Sequence, residues 1–99
     1  MLSLSIIIPI YNEEKIILKN FNIINNFFKK SNIDYEILII ESGSTDNSKN
    51  ICQNLLKNTS VKLYSQQKRE GWGSALKLGY NKSTKKFISF IFKLSTRNG

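Results

Sequence analysis

The 99-residue sequence contains no histidine and a single cysteine, Cys52. Without histidine, catalysis by an imidazole base and histidine-based metal sites are excluded. One cysteine cannot form an intrachain disulfide, so nothing in the cysteine content points to an oxidising compartment. Cys52 lies in a segment with helical periodicity, and we interpret it as a small buried apolar residue rather than a reactive thiol.

Long apolar runs are also missing. The N-terminal run LSLSIIIPIY is interrupted by Pro9, is followed by Glu13 and Glu14, and has no Lys or Arg before it, so it is typical of a strand and not of a signal peptide. No apolar stretch approaches the ~20 residues that span a bilayer. We therefore expect a cytoplasmic protein, for which a peripheral position at the cytoplasmic face of a membrane stays open.

Acidic residues are few: 7 Asp and Glu oppose 15 Lys and Arg, which gives a net charge of +8. Such a balance can indicate nucleic acid or an anionic surface as a partner. The lysines are scattered, however, and aromatic residues do not alternate with them as they do on surfaces that stack bases. We expect no specific nucleic-acid partner, and a non-catalytic basic α/β module that binds RNA or another acidic partner is the alternative function.

The segments that are present alternate between two periodicities. Apolar runs at residues 4–9, 35–40, 61–65 and 86–92 are typical of strands, and the residues between them repeat at helical spacing. The order β-α-β-α-β-α-β predicts a Rossmann-like three-layer α/β/α fold with a mostly parallel sheet of about four strands. Asn12 is the expected N-cap of the first helix, with Glu13 and Glu14 in its first turn.

Polar residues follow the first two strands at the point where each strand ends. Ligands of open α/β sheets bind outside the carboxyl ends of the strands, so we expect these two loops to meet at one edge. A carboxylate at Glu41 and the ring of Tyr11 would suit a nucleobase or ribose. Gly43 allows a tight turn, and Ser44 or Thr45 can cap the second helix. The alternative is that these polar residues merely cap helices.

The segment QQKREGWGSALKLG follows the third strand and is rich in glycine. Its glycine spacing and its position exclude a dinucleotide-binding fingerprint. Lys68 and Arg69 precede a loop whose backbone N–H groups could approach a phosphate at a helix start. A flexible connection that ends in a helix cap explains the same residues equally well.

Three stretches in this order resemble the family-two glycosyltransferases, which have the GT-A fold: SIIIPIYNEE, YEILIIESGSTDNS and QQKREGWGSALKLGYNKSTKKFISFI. The resemblance extends from about Ser3 to Ile91. It implies transfer of a sugar from a UDP- or GDP-linked donor to an acceptor such as a polyprenyl phosphate, a lipid or a glycan. Residues 1–92 would form the N-terminal part of the nucleotide-sugar-binding domain, and residues 93–99 a polar tail.

The resemblance also implies which residues bind the donor nucleotide. Glu41 would hold the base or ribose, and Arg69 would lie near the donor. The full implied set is Pro9, Tyr11, Asn12, Glu13, Glu41, Ser42 and Arg69. No catalytic residue is assigned, because the family's general base lies in later segments.

Two departures from the family pattern affect the metal and the chemistry. Glu41-Ser42 stands where the family usually has two aspartates, and Lys93 lies near the place of the Asp-x-Asp that binds the metal. A complete member is expected to use Mg²⁺ or Mn²⁺ to neutralise the diphosphate, whereas a lysine at that position would repel a cation. We therefore expect no metal site in this chain and no turnover by this chain alone.

Overall fold

Strands and helices alternate through residues 1–67 and 71–91, the parts of the chain that this computed structural model describes. The elements are β1 (Leu2–Ile10), α1 (Ile17–Lys29), β2 (Ile33–Ser42), α2 (Ser48–Asn54), a short 3₁₀ helix (Leu55–Lys57), β3 (Val61–Gln66), α3 (Trp72–Lys82) and β4 (Phe87–Phe90). The predicted order is confirmed, and the 3₁₀ helix is an addition. The predicted polar tail lies outside the described residues.

The four strands form one parallel sheet in the order β3-β2-β1-β4. The central strand β1 is buried on both faces, which explains its unbroken run of β-branched residues. Ile6 and Ile8 belong to the core beneath α1 and α2, whereas Ile7 belongs to a smaller core beneath α3. The helices therefore cover both faces, and the predicted three-layer architecture is confirmed.

Helix α3 packs closely on β1 at Gly79. A Cβ atom at this position would lie 2.5 Å from Cγ2 of Ile7, a distance that side chains essentially never reach. Gly79 is buried within the helix, so the absence of a side chain is what lets the helix and the strand approach.

The helix starts differ from the prediction. Helix α1 begins at Ile17, with no acidic residue in its first turn, so the prediction that Asn12 caps it is wrong. Asn12 has a φ of 49° and uses its side chain to bind the loop after β2 instead. Ser44 and Thr45 do not cap α2 either, because α2 begins only at Ser48.

The amino-terminal edge of the sheet is fastened by Glu36, which is 3% exposed. Its carboxylate accepts hydrogen bonds from Ser5 Oγ (2.6 Å), from Lys62 Nζ (2.8 Å) and from the backbone N–H of Thr84 (2.7 Å). These partners lie on β1, on β3 and in the turn before β4. Glu36 of β2 thus connects β1, β3 and the turn before β4, near the amino-terminal ends of the strands and away from the predicted site.

Within the described residues, no helix has the length and apolar composition needed to cross a membrane.

Candidate functional site

The loops after β1 and β2 bind each other directly. Asn12 Oδ1 accepts the backbone N–H of Thr45 at 2.8 Å, and the backbone N–H of Asn12 donates to Ser44 Oγ at 3.0 Å. The backbone N–H of Glu13 donates to Ser48 Oγ at 2.8 Å. The prediction that two polar loops meet at the carboxyl edge of the sheet is therefore confirmed.

Gly43 permits the sharp turn between β2 and this loop. Its φ of 61° lies in the left-handed region, as expected from its position directly after the strand. Beyond it, Asp46 accepts hydrogen bonds from the backbone N–H groups of Ser48 and Glu14, at 2.8 and 3.2 Å. Desolvation acts to raise the pKa of Asp46, but these hydrogen bonds outweigh it and lower the pKa.

Glu41 lies beneath the turn and not in an open site. Its side chain is 1% exposed, and Oε2 accepts the backbone N–H of Ser44 at 2.6 Å. Along β2 it lies on the same face as Ile37 and Ile39, so it faces the layer of α1 and α2. In this structure Glu41 fixes the turn, and its predicted contact with a base or ribose stays a prediction.

Cys52 of α2 is fully buried in the core on the same face of the sheet as Glu41. Burial, followed by the negative charges of Glu41, Glu13 and Asp46, raises the pKa of Cys52 to about 12. A thiol with this pKa is protonated and unreactive near neutral pH. The interpretation of Cys52 as a buried apolar residue is therefore confirmed.

A cleft opens on the other face of the sheet, where β1 and β2 end against the start of α3. It is open to solvent, and its inner volume is about 10 Å³, close to the space of one water molecule. The residues that line it are Pro9, Ile10, Tyr11, Ser42, Gly71, Trp72 and Ala75. The cleft lies at the carboxyl ends of β1 and β2, the end of the strands at which ligands bind in open α/β sheets.

Ser42 is held in this cleft by a relay of side chains. Its hydroxyl donates to Gln66 Oε1 at 2.7 Å, and Gln66 Nε2 donates to Ser74 Oγ at 2.9 Å. The relay joins the ends of β2 and β3 to the first turn of α3. Because the Ser42 proton is engaged by Gln66, the Ser42 oxygen retains acceptor capacity toward a ligand N–H or O–H group.

The structure therefore divides the predicted site residues into groups. Pro9, Tyr11 and Ser42 line the cleft. Asn12 and Glu13 lie in the two loops that bind each other, where they line a second, shallower depression of about 340 Å³. Arg69 lies outside the described residues.

Two residues that the sequence analysis did not single out belong to the cleft or its support. Trp72 is 44% exposed at the mouth, and Gln66 anchors Ser42. Gln66 ends the third strand, so the rule that ligands bind at carboxyl ends of strands would have pointed to it. Trp72 begins α3 directly after Gly71, whose φ of 89° sets the direction of the chain into the helix.

Divalent metal ions require a cluster of oxygen, nitrogen or sulfur ligands. In residues 1–67 and 71–91, no group of three or more His, Cys, Asp or Glu side chains is placed to hold a metal ion. The described side chains therefore do not fit the cation expected for complete family members.

Comparison with known proteins identifies the family. The sequence profile described as Glycosyl transferase family 2 matches residues 5–91. The chain belongs to this family. It is 26% identical over 89 residues to glycosyltransferase GlyG of Streptococcus pneumoniae, a match that covers 89% of this chain and 29% of GlyG.

A second family member is more similar over a shorter stretch. The chain is 41% identical over 71 residues to a dolichyl N-acetyl-alpha-D-glucosaminyl phosphate 3-beta-D-2,3-diacetamido-2,3-dideoxy-beta-D-glucuronosyltransferase of Methanococcus voltae. This match covers 68% of the chain and 22% of the relative. The chain thus spans less than a third of these relatives.

The fold matches that of a solved glycosyltransferase structure. A mannosyltransferase from Pyrobaculum calidifontis, solved in complex with GDP-Man and Mn²⁺, superposes with a TM-score of 0.73 at 20% identity. The superposition covers 86% of this chain and 25% of that protein. The four parallel strands and their helices therefore have the GT-A fold of the family.

Proposed function

We propose that this chain supplies the donor-nucleotide-binding part of a glycosyltransferase that moves a sugar from a UDP- or GDP-linked donor to an acceptor. The observation that carries the proposal is the open cleft at the carboxyl ends of β1 and β2, on the α3 side of the sheet. It combines two aromatic rings, Tyr11 and Trp72, with the oriented hydroxyl of Ser42. Rings and a fixed acceptor are suitable partners for a nucleobase or a ribose.

The residues of the site take different roles in this proposal. Tyr11 and Trp72 flank the nucleotide, and Ser42 accepts a hydrogen bond from it. Pro9 is almost fully buried and shapes the cleft. Asn12 and Glu13 keep the first loop in place, and Arg69 lies near the diphosphate. Glu41 acts indirectly, by holding the turn that positions Ser42.

The donor and acceptor classes have support from the relatives. The mannosyltransferase was solved with GDP-Man and Mn²⁺, and the Methanococcus enzyme is named for a dolichyl-phosphate-linked substrate. The first supports a nucleotide sugar as donor, and the second supports a lipid-linked acceptor. We propose that the acceptor site, the general base and the Mg²⁺ or Mn²⁺ ligands are supplied by segments that the 99 residues lack, so that the chain alone binds donor without turnover.

Calorimetric titration of the chain with UDP-glucose, UDP-N-acetylglucosamine and GDP-mannose tests the proposal. We expect weak but saturable binding of one donor type. Tyr11→Ala and Ser42→Ala should each lower the affinity about fivefold or more, because a ring contact or a hydrogen bond contributes about 1 kcal/mol. The matched controls are Tyr80→Ala and Ser65→Ala, which change the same residue types outside the cleft.

Two substitutions of Glu41 distinguish a direct contact with the nucleotide from a role in supporting the turn. Glu41→Gln keeps an oxygen that can accept the Ser44 N–H, so the affinity should stay within about twofold of the original, whereas Glu41→Ala should weaken binding by releasing the turn. A loss in Glu41→Gln as large as that in Tyr11→Ala would favour the direct contact. Salt-sensitive binding of RNA without any nucleotide-sugar affinity would contradict the proposal and favour the basic module.

A further inference from the structure

The outer surface of α1 combines exposed apolar and basic side chains. Lys19, Ile23, Phe27 and Lys30 recur at intervals of four, four and three residues, which places them within an arc of about 80° on a helix. Ile23 is 48% exposed and Phe27 is 62% exposed. We call these four residues the α1 stripe.

The opposite side of the same helix is fully engaged in the core. Ile17, Phe21 and Ile24 are buried against the sheet. Ile23 and Phe27 are not part of this core, although the ring of Phe27 contacts that of Phe28 edge to face, with 5.0 Å between the ring centroids. Single exposed apolar residues are common, but here two are adjacent on the helix surface with a lysine at each end of the stripe.

The charge on the helix surface itself is positive, and the nearest acidic residues in sequence are Glu13 and Glu14 before α1 and Asp34 after it. Helix α1 contains no Asp or Glu, and Lys15 and Lys29 add two more exposed lysines around the α1 stripe. The ion pairs Lys62–Glu36 and Lys85–Asp34 use no lysine of α1. The surface is thus basic and apolar together.

We propose that the α1 stripe docks the protein on an anionic lipid bilayer. Lysines at the ends of the stripe pair with acidic headgroups, and Ile23 and Phe27 enter the boundary between headgroups and acyl chains. RNA is a poorer fit for this surface, because only Phe27 offers a ring on which a base can stack and the aliphatic chain of Ile23 beside it does not. Two apolar side chains give only weak, reversible attachment. The proposal is independent of nucleotide binding.

Sedimentation of the 99-residue chain with vesicles tests this docking. Vesicles of phosphatidylcholine with about one third phosphatidylglycerol should bind the chain, with pure phosphatidylcholine binding it much less and 0.5 M NaCl releasing it. Lys19→Gln/Lys30→Gln should lower the partition coefficient by roughly tenfold or more. The matched control is Lys49→Gln/Lys57→Gln, which removes two exposed lysines from α2 and the 3₁₀ helix.

Two further experiments test the apolar residues of the α1 stripe, Ile23 and Phe27. Ile23→Ser/Phe27→Ser should weaken vesicle binding, whereas Leu56→Ser, which alters a side chain of similar exposure on the 3₁₀ helix, should not. Trp72→Phe removes the one tryptophan of the chain, and Phe27→Trp then places a tryptophan in the α1 stripe. When vesicles are added, the fluorescence emission of this tryptophan should shift to the blue, and brominated lipids should quench it. Circular dichroism verifies that each variant remains folded.

Three outcomes would overturn the docking proposal. The first is equal loss of binding for both pairs of lysine substitutions, which would indicate attraction by net charge alone. The second is binding without a blue shift at position 27. The third is tight binding of an RNA oligonucleotide that Ile23→Ser/Phe27→Ser leaves unchanged, together with no affinity for vesicles.

Discussion

Several polar side chains at the strand ends bind backbone groups of the protein itself. Glu41 accepts the N–H of Ser44, and Asn12 accepts the N–H of Thr45. Backbone N–H groups in a folded loop need partners, and a carboxylate or amide at a strand end is well placed to supply one. A polar motif therefore does not reveal which of its members face a ligand. The adjacent residues Glu41 and Ser42, for example, face opposite sides of the sheet, and only Ser42 lines the cleft.

The lowered pKa of Glu36 predicts how the free energy of unfolding depends on pH. Burial acts to raise its pKa, but hydrogen bonds from Lys62, Ser5 and Thr84 outweigh it and lower the pKa from 4.5 to about 2. Because the folded-state pKa is depressed, the stabilisation is complete above pH 4.5 and is lost as the pH falls toward 2. Up to about 3 kcal/mol of unfolding free energy should disappear in this window.

Urea denaturation between pH 6 and pH 2.5 measures this loss. Glu36→Gln should be less stable at pH 6 and should show a flatter dependence on pH than the original chain. The control is Asp34→Asn, because the side chain of Asp34 is 53% exposed and its ion pair with Lys85 is screened by solvent. Parallel pH curves for the original chain and Glu36→Gln would contradict the prediction.

At the scale of elements, the strands were predictable and the helix starts were not. Continuous β-branched runs specify β1 and β2 because a parallel strand is buried on both faces. The first helix begins five residues after Asn12, because Asn12 binds across to the next loop. That interaction joins residues more than thirty positions apart, and no local sequence pattern encodes it. The relay from Ser42 through Gln66 to Ser74 joins residues 24 and 8 positions apart, and no local pattern encodes it either.

The contact between α3 and β1 at Gly79 gives a prediction about packing. Gly79→Ala places a methyl group 2.5 Å from Ile7 Cγ2, so the helix must shift or Ile7 must change rotamer. We expect a loss of about 1–3 kcal/mol of unfolding free energy, in spite of the better helix propensity of alanine.

Gly73→Ala is the matched control for Gly79→Ala. It lies in the same helix, and a Cβ there meets no atom within 4 Å, so the change should be neutral or stabilising by up to about 1 kcal/mol. Thermal or urea denaturation of both variants provides the measurement. Equal stability of the two variants would mean that α3 does not approach β1 as closely as described.

At the scale of the whole molecule, the sheet has an uncovered side. In residues 1–67 and 71–91, β4 pairs with β1 and forms one edge of the sheet. Phe87 is 50% exposed and Phe90 is 41% exposed on this strand. An apolar edge strand is a template for pairing with another copy.

This edge predicts self-association of the 99-residue chain. Sedimentation velocity over a range of concentrations should detect species larger than the monomer, despite the repulsion expected from a net charge of +8. Phe87→Lys/Phe90→Lys should shift the distribution toward monomer, because charged residues on an edge strand oppose pairing and remove the apolar surface. Leu56→Lys adds a lysine at a site of similar exposure away from β4 and should have little effect. If Leu56→Lys restored the monomer equally well, net charge and not the β4 edge would control association.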